Sequence, residues 1–243
     1  SIYLTFDVND EATHLYKIDL EKLNLDYQLY PYPKSENHEF KNFNSFIYED
    51  NIYQIAASKE ALKFVISDFD HKSIKEFNIY KEQSISFKNS PIIQEGQTAL
   101  PFVTKRELEE TKKYLRKINA GNIGLSVTKN KEQYYITIGG FQIVPQQGIM
   151  TPVNTVNGNF TGYNTTYLSY NSYSTTKSTY FNSILDLNFN HVKGKLKENI
   201  FDQIEGFKSK LKYTSGEDLF YHNNNLYFGY FNQKESTYHL VKF

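Results

Sequence analysis

The chain has 243 residues, enough for a sizeable core, and its 27 basic residues balance 27 acidic ones, which excludes a global field drawing it to nucleic acid, an anionic membrane or an acidic substrate. The absence of Cys excludes disulfides, thiolate zinc sites and cysteine nucleophiles, and no apolar run reaches the length of a membrane-spanning helix. Aromatic residues are 16% of the chain, 21 Tyr and 19 Phe, a usage that suits half-buried pleated strands better than helices.

The first predicted element is a hairpin from Ile2 (IYLTFDVNDEATHLYKIDL), two apolar strands around a polar turn. SFIYEDN (Ser45 to Asn51) is a short aromatic strand closing on an Asn/Asp turn, and it leads into a second hairpin from Ile52 (IYQIAASKEALKFVISDF). There Leu62, Phe64 and Ile66 lie on one face with Val65 opposite, the two-faced pattern of a strand held between stacked sheets. DFDHKSIKEFNI (Asp68 to Ile79) adds another strand. Lys81 to Gly121 departs from the pattern and is predicted to end in a helix at about 101–121. Thr104 and Glu107 fit a capping box, Leu108, Leu115 and Ile118 make an apolar stripe, Glu109 faces Lys113, and Gly121 suits the stop.

A third hairpin starts at Ile123 (IGLSVTKNKEQYYITIGGF), a neutral loop covers about 145–165, and a fourth hairpin starts at Tyr167 (YLSYNSYSTTKSTYFNSILDL). NFNHVKGKLKENI (Asn188 to Ile200) matches the strand that follows the second hairpin. Ile200, Ile204, Phe207 and Leu211 stand at helical spacing and predict a second helix over Lys197 to Leu211, whose start overlaps that strand. DLFYHNN (Asp218 to Asn224) and a fifth hairpin from Leu226 (LYFGYFNQKESTYHLVKF) complete the series.

Each hairpin is too small to bury its own apolar faces, so copies are expected to stack on one another. The hairpins begin 50, 71, 44 and 59 residues apart, and a full unit reads as four antiparallel strands joined by turns. In this the chain resembles β-propeller repeats over most of its length. It contains no Trp-Asp pair, kelch double glycine or aspartate box, so the resemblance implies architecture alone. That architecture is an all-β, β-propeller-like stack of about five antiparallel blades, open or incomplete, with one inserted α-helix, forming a single domain over residues 1–243.

Gln133 to Thr176 contains no Asp, Glu, Lys or Arg, whereas 22% of the whole chain is charged. Chance would leave such a stretch neutral with probability about 0.00002, and under about 1% after allowing for the choice of window. Its Tyr, Asn, Thr and Ser give contact area and adaptable hydrogen bonding at low entropy cost, so Tyr163, Asn164, Tyr167, Asn171 and Tyr173 are the candidate binding residues. A single strand over Thr166 to Ser174 would put Tyr167 and Tyr173 on one face and Tyr170 on the other. A long neutral loop with no ligand is the competing account.

The six histidines show no metal-ligand spacing, and His71 and His191 occupy matching points of two repeats, which points to a turn or packing role. The carboxylate pairs Asp68/Asp70 and Glu217/Asp218 read as solvated turns. No phosphate-cradling glycine loop or serine elbow occurs, so no catalytic residue, metal or cofactor is assigned. The expected function is therefore a non-catalytic module binding a protein partner, without nucleic acid or membrane insertion. Carbohydrate binding or glycoside hydrolysis is the alternative. Only Arg106 and Arg116 are arginines and Asn, Tyr, Phe and Ile abound, as in AT-rich bacterial genomes. The expected setting is periplasmic or cell-surface, on a larger secretion or uptake assembly of the envelope. The chain opens at a serine already inside a strand pattern, so a removed leader or a longer parent chain is expected.

Overall fold

Alternating apolar positions and Asx-anchored turns set the strands of this protein. The computed structural model describes residues 1–97, 103–146, 151–154, 166–169, 173–196, 200–223 and 225–243. Two compact units are distinguished, residues 1–195 and 196–243.

In the first unit, β1 (Ile2–Phe6), β2 (Ala12–Asp19) and β3 (Asn24–Pro31) form an antiparallel meander, the first sheet. The second sheet is another meander, of β4 (Asn42–Tyr48), β5 (Asn51–Ala57), β6 (Ala61–Asp68) and β7 (Ser73–Tyr80). The third sheet is built from β8 (Ile92–Gln97), β9 (Val103–Leu108), β10 (Asn122–Asn130), β11 (Gln133–Gln146) and the distant β14 (Tyr173–Asp186), in the order β10-β11-β14-β8-β9. Helix α1 (Thr111–Ile118) connects β9 to β10, and β12 (Thr151–Asn154) with β13 (Thr166–Ser169) makes a two-stranded ribbon.

The second sheet stacks between the other two because its strands are apolar on both sides. On β5 and β6, Tyr53, Ile55, Leu62, Phe64 and Ile66 point to the third sheet and join Leu125, Ile136, Ile138 and Phe181 in the main core, with Tyr114, Leu115 and Ile118 of α1. On the opposite side, Ile52 meets Leu15 and Tyr30 of the first sheet. The second sheet is thus covered on both faces, as its two-sided apolar pattern requires. A buried polar node locks the first sheet to the second: the Asp7 carboxylate accepts hydrogen bonds from Thr13 Oγ1 (2.8 Å), Tyr32 Oη (2.7 Å), and both the N–H (2.8 Å) and the hydroxyl of Ser45. Gln54 Nε2 adds bonds to Thr13 Oγ1 and the Tyr30 carbonyl, each 3.0 Å.

The second unit contains α2 (Ile200–Lys208) and a meander of β15 (Thr214–His222), β16 (Asn225–Asn232) and β17 (Thr237–Lys242). Its own core sets Ile204 and Phe207 of the helix against Leu226, Phe228 and Tyr230.

The second predicted helix is therefore present, within Lys197 to Leu211, and four of the five repeated segments are hairpins. The fourth is not. Beyond Tyr167, β13 pairs with β12, whereas β14 pairs along 14 residues with β11, so the expected strand over Thr166 to Ser174 is divided between two sheets. The inserted helix begins later than expected. Thr104 and Glu107 lie in β9, paired with Gly96 and Ile93 of β8, so no capping box forms. Glu110 is the N-cap, without a side-chain cap bond, and Lys113 pairs with Glu110 rather than Glu109. Among the described residues 188–196, a lone bridge, Leu185 to His191, stands in place of the expected strand.

The repeat register of the histidines also shifts by two. Asp68 Oδ1 accepts from the N–H groups of Asp70 and Lys72, and Asp186 Oδ1 accepts from those of Asn188 and Asn190. The left-handed residue of the first turn is His71 (φ 65°), and of the second Phe189 (φ 59°). His71 thus matches Phe189, not His191, because the anchoring aspartate and the left-handed site define the turn. A second turn also recurs: Asp19 bonds the N–H groups of Glu21 and Lys22 before left-handed Leu23, and Asn232 bonds those of Lys234 and Glu235 before left-handed Ser236.

Candidate functional site

The first sheet is apolar on both faces, and only one face is covered. Direct cross-strand partners share a face, so the register defines three rows on the outer side. Ile2, Ile18 and Leu25 form one, Leu4, Tyr16 and Tyr27 the next, and Phe6, His14 and Leu29 the third. The six residues on the flanking strands, Ile2, Leu4, Phe6, Leu25, Tyr27 and Leu29, are 41–58% exposed. Val8 extends the surface at one end, and a groove of about 540 Å³ runs over β1 and β2. An apolar surface of this size, on the order of several hundred Å², exceeds the scattered exposure normal for a monomer.

The imidazole of His14 and the hydroxyl of Tyr27, on this face, already have partners. Asn9 Oδ1 accepts from the N–H groups of Glu11 and Ala12, which fixes the amide so that Nδ2 donates to His14 Nε2 at 3.1 Å. His14 Nε2 is therefore the acceptor nitrogen, and Nδ1–H donates to Tyr27 Oη at 2.8 Å. Tyr16 packs between Phe6 (5.7 Å, edge-on) and Tyr27 (4.9 Å). Covering the face would strip water mainly from carbon, while His14 and Tyr27 keep their partners, so desolvating those two costs little.

Charge surrounds the apolar rows without entering them. The turns at the two ends of the sheet carry four carboxylates, Asp10, Glu11, Asp19 and Glu21, against Lys22. Asp10 and Glu11 stand at the turn at one end and Asp19 and Glu21 at the turn at the other. The rim is acidic although the whole chain is neutral.

Of the residues singled out from the sequence, Tyr163, Asn164 and Asn171 lie outside the described residues. Tyr167 and Tyr173 are backbone positions of β13 and β14, in different sheets, and their side chains also lie outside what is described. The outer face of the first sheet was not anticipated, although its signal is present in the alternation Ile2/Leu4/Phe6, His14/Tyr16/Ile18 and Leu25/Tyr27/Leu29. Among the described residues no group of three or more His, Cys, Asp or Glu could hold a metal ion, and no helix is long and apolar enough to cross a membrane. Comparison with known proteins assigns no relative: no protein-family model matches the chain, and no curated protein or solved structure shows significant similarity to it.

Proposed function

We propose that this chain is a non-catalytic interaction module, a propeller-like stack whose first sheet docks through its outer face onto another protein. The observation that carries the reading is the three-by-three apolar grid on a sheet whose opposite face is already packed. In this fold the second sheet, apolar on both faces, is covered by a sheet on each side, so the complement we propose is an apolar protein surface. The acidic rim asks that surface to carry Lys or Arg at its edge, and it disfavours an anionic bilayer. The setting we have in view is a larger cell-envelope assembly of secretion or uptake in a bacterium, a choice supported by residue usage.

The test is photo-crosslinking in native membranes, with the reactive residue at Leu29 and, as control, at Thr128 in the third sheet. A discrete protein adduct is expected from Leu29 alone, mapping to an apolar segment flanked by basic residues. Leu4→Glu with Tyr16→Glu should abolish it. Glu11→Lys with Glu21→Lys, on exposed turns that do not threaten folding, should weaken it about tenfold and remove its salt sensitivity. Equal adducts from both positions, or adducts only to phospholipid or to a second copy, would overturn the reading.

The carbohydrate alternative has one observation in its favour, a polar hollow of about 460 Å³ where His38, Glu39 and Lys59 meet the β5–β6 turn. Two of its amides are engaged, Asn42 Nδ2 with Asn119 Oδ1 (2.7 Å) and Asn119 Nδ2 with the Ser58 carbonyl (2.8 Å). Glycan-array binding lost on His38→Ala and Glu39→Gln would move the assignment to this hollow.

A further inference from the structure

We propose that the corner of the third sheet beside the end of α1 is a binding pocket for a tetrahedral oxyanion, a phosphate or sulfate group carried by a small molecule. The register places its members. Gln94, Arg106 and Thr179 are direct cross-strand partners on β8, β9 and β14, and two residues further on stand Gly96 and Lys177. All therefore lie on the face that α1 covers. The helix is seated by two contacts: Ile118 fills the space above Gly140, where a Cβ would come within 3.1 Å, and the Lys117 carbonyl accepts from Gln142 Nε2 at 2.8 Å. This holds the last helical turn, and with it Lys117, at the edge of the same corner.

Three cations from three elements converge there. Arg106 is fixed by bonds from Nε (2.9 Å) and Nη2 (2.6 Å) to the buried Gln94 Oε1, which leaves its remaining N–H groups free to meet a ligand. Lys177 lies over Gly96, where any Cβ would come within 2.7 Å of its Cγ. Carboxylates are turned away: Glu95 and Glu107 alternate to the opposite face, where Glu95 takes Tyr180 Oη (2.8 Å) and Lys105 Nζ (3.2 Å). Among the described residues, Arg106, Lys117 and Lys177 have no carboxylate partner. Burial pushes the Lys117 ammonium below its usual range, and Arg106, Arg116 and Lys177 add to that through like-charge repulsion. The protein holds these charges together at a cost that a bound anion would remove.

The hollow lined by Gln94, Gly96, Arg106 and Lys177, and touched by Glu95, whose carboxylate is held by Tyr180 and Lys105, measures about 350 Å³, within the range of small-ligand sites and larger than a bare ion needs. Cations approaching from a strand, a second strand and a helix surround a tetrahedral group better than a planar carboxylate. This inference does not depend on the docking face, which lies on another sheet.

The experiment titrates the full chain with inorganic phosphate, sulfate and acetate at constant ionic strength, following thermal unfolding and backbone amide shifts. Phosphate and sulfate should stabilise saturably, with acetate at least tenfold weaker. Lys177→Gln and Lys117→Gln should each weaken phosphate binding at least tenfold, and Lys105→Gln, on the opposite face, should leave it unchanged. Without anion, Lys177→Gln should melt above the parent protein, because a repulsion has been removed; this readout also shows that the variant is folded. A Lys105→Gln loss equal to that of Lys177→Gln, no saturable response to phosphate or sulfate, or acetate as strong as phosphate would overturn the proposal.

Discussion

The two end faces of the three-sheet stack have opposite chemistry, although both belong to antiparallel sheets built from similar hairpins. The outer face of the first sheet is an apolar grid. On the outer face of the third sheet, Thr137 Oγ1 bonds Asn182 Oδ1 (2.7 Å), Tyr180 bonds Glu95, and Ser126 and Thr128 are exposed, with large apolar side chains exposed, among the described residues, at Phe141 and Ile143 near one end. A sheet that ends a stack in water needs a polar outer face. The third sheet meets that requirement and the first does not.

The interfaces behind these end faces also differ, and the largest expected effect tests that difference. Asp7, between the first and second sheets, satisfies four donors, including those of Thr13, Tyr32 and Ser45, which are themselves buried. Asp7→Ala leaves them unpaired and should cost about 3 kcal/mol in denaturant unfolding. Hydrogen exchange should quicken in β1 to β3 before the third sheet. Uniform exchange across all three sheets would mean that Asp7 is not the lock between the first and second.

A smaller effect separates the end faces directly. Leu4→Ser with Leu25→Ser should reduce fluorescence of a hydrophobic dye at least about twofold, because large exposed apolar patches are what such dyes report. Thr137→Ser in the third sheet should leave it unchanged. Equal dye binding by both variants would remove the contrast on which the docking face rests.

The smallest effect concerns Glu49, which links the second sheet to the third through Lys129 Nζ (2.9 Å) and Tyr134 Oη (2.8 Å). Bonds from Lys129, then from Tyr134, hold its carboxyl below the usual range. A lowered folded pKa stabilises above the unfolded value of about 4.3 and is lost as pH falls through the folded one. Glu49→Gln should therefore cost less than about 1 kcal/mol at neutral pH, the difference from the parent shrinking as pH falls below the unfolded value. A difference that persisted at pH 2 would show packing rather than charge.

Legibility varied with the range of the interaction. Strands around Ile2, Ile52, Ile123 and Leu226 were readable because alternation and polar turns are local, and α2 because Ile200, Ile204 and Phe207 keep helical spacing. Thr104 and Glu107 carried a valid helix-start pattern, yet β9 gains a ladder of pairs to β8 that outweighs a capping box. The neighbouring histidines suggested an alignment that the Asp68 and Asp186 turns overruled, because hydrogen bonding to a left-handed turn is not encoded by residue identity alone.

By itself the sequence determined the all-β class, the hairpin unit and the need for sheets to stack, since period-two patterns and two-faced apolar strands follow from the pleat. Tertiary structure alone decided that β14 joins β11 across a long separation, which of the two apolar faces of the first sheet is covered, and that Arg106, Lys117 and Lys177 meet at one corner. Those outcomes depend on strand pairing between distant segments, and pairing energy is shared by two stretches of chain that neither stretch records.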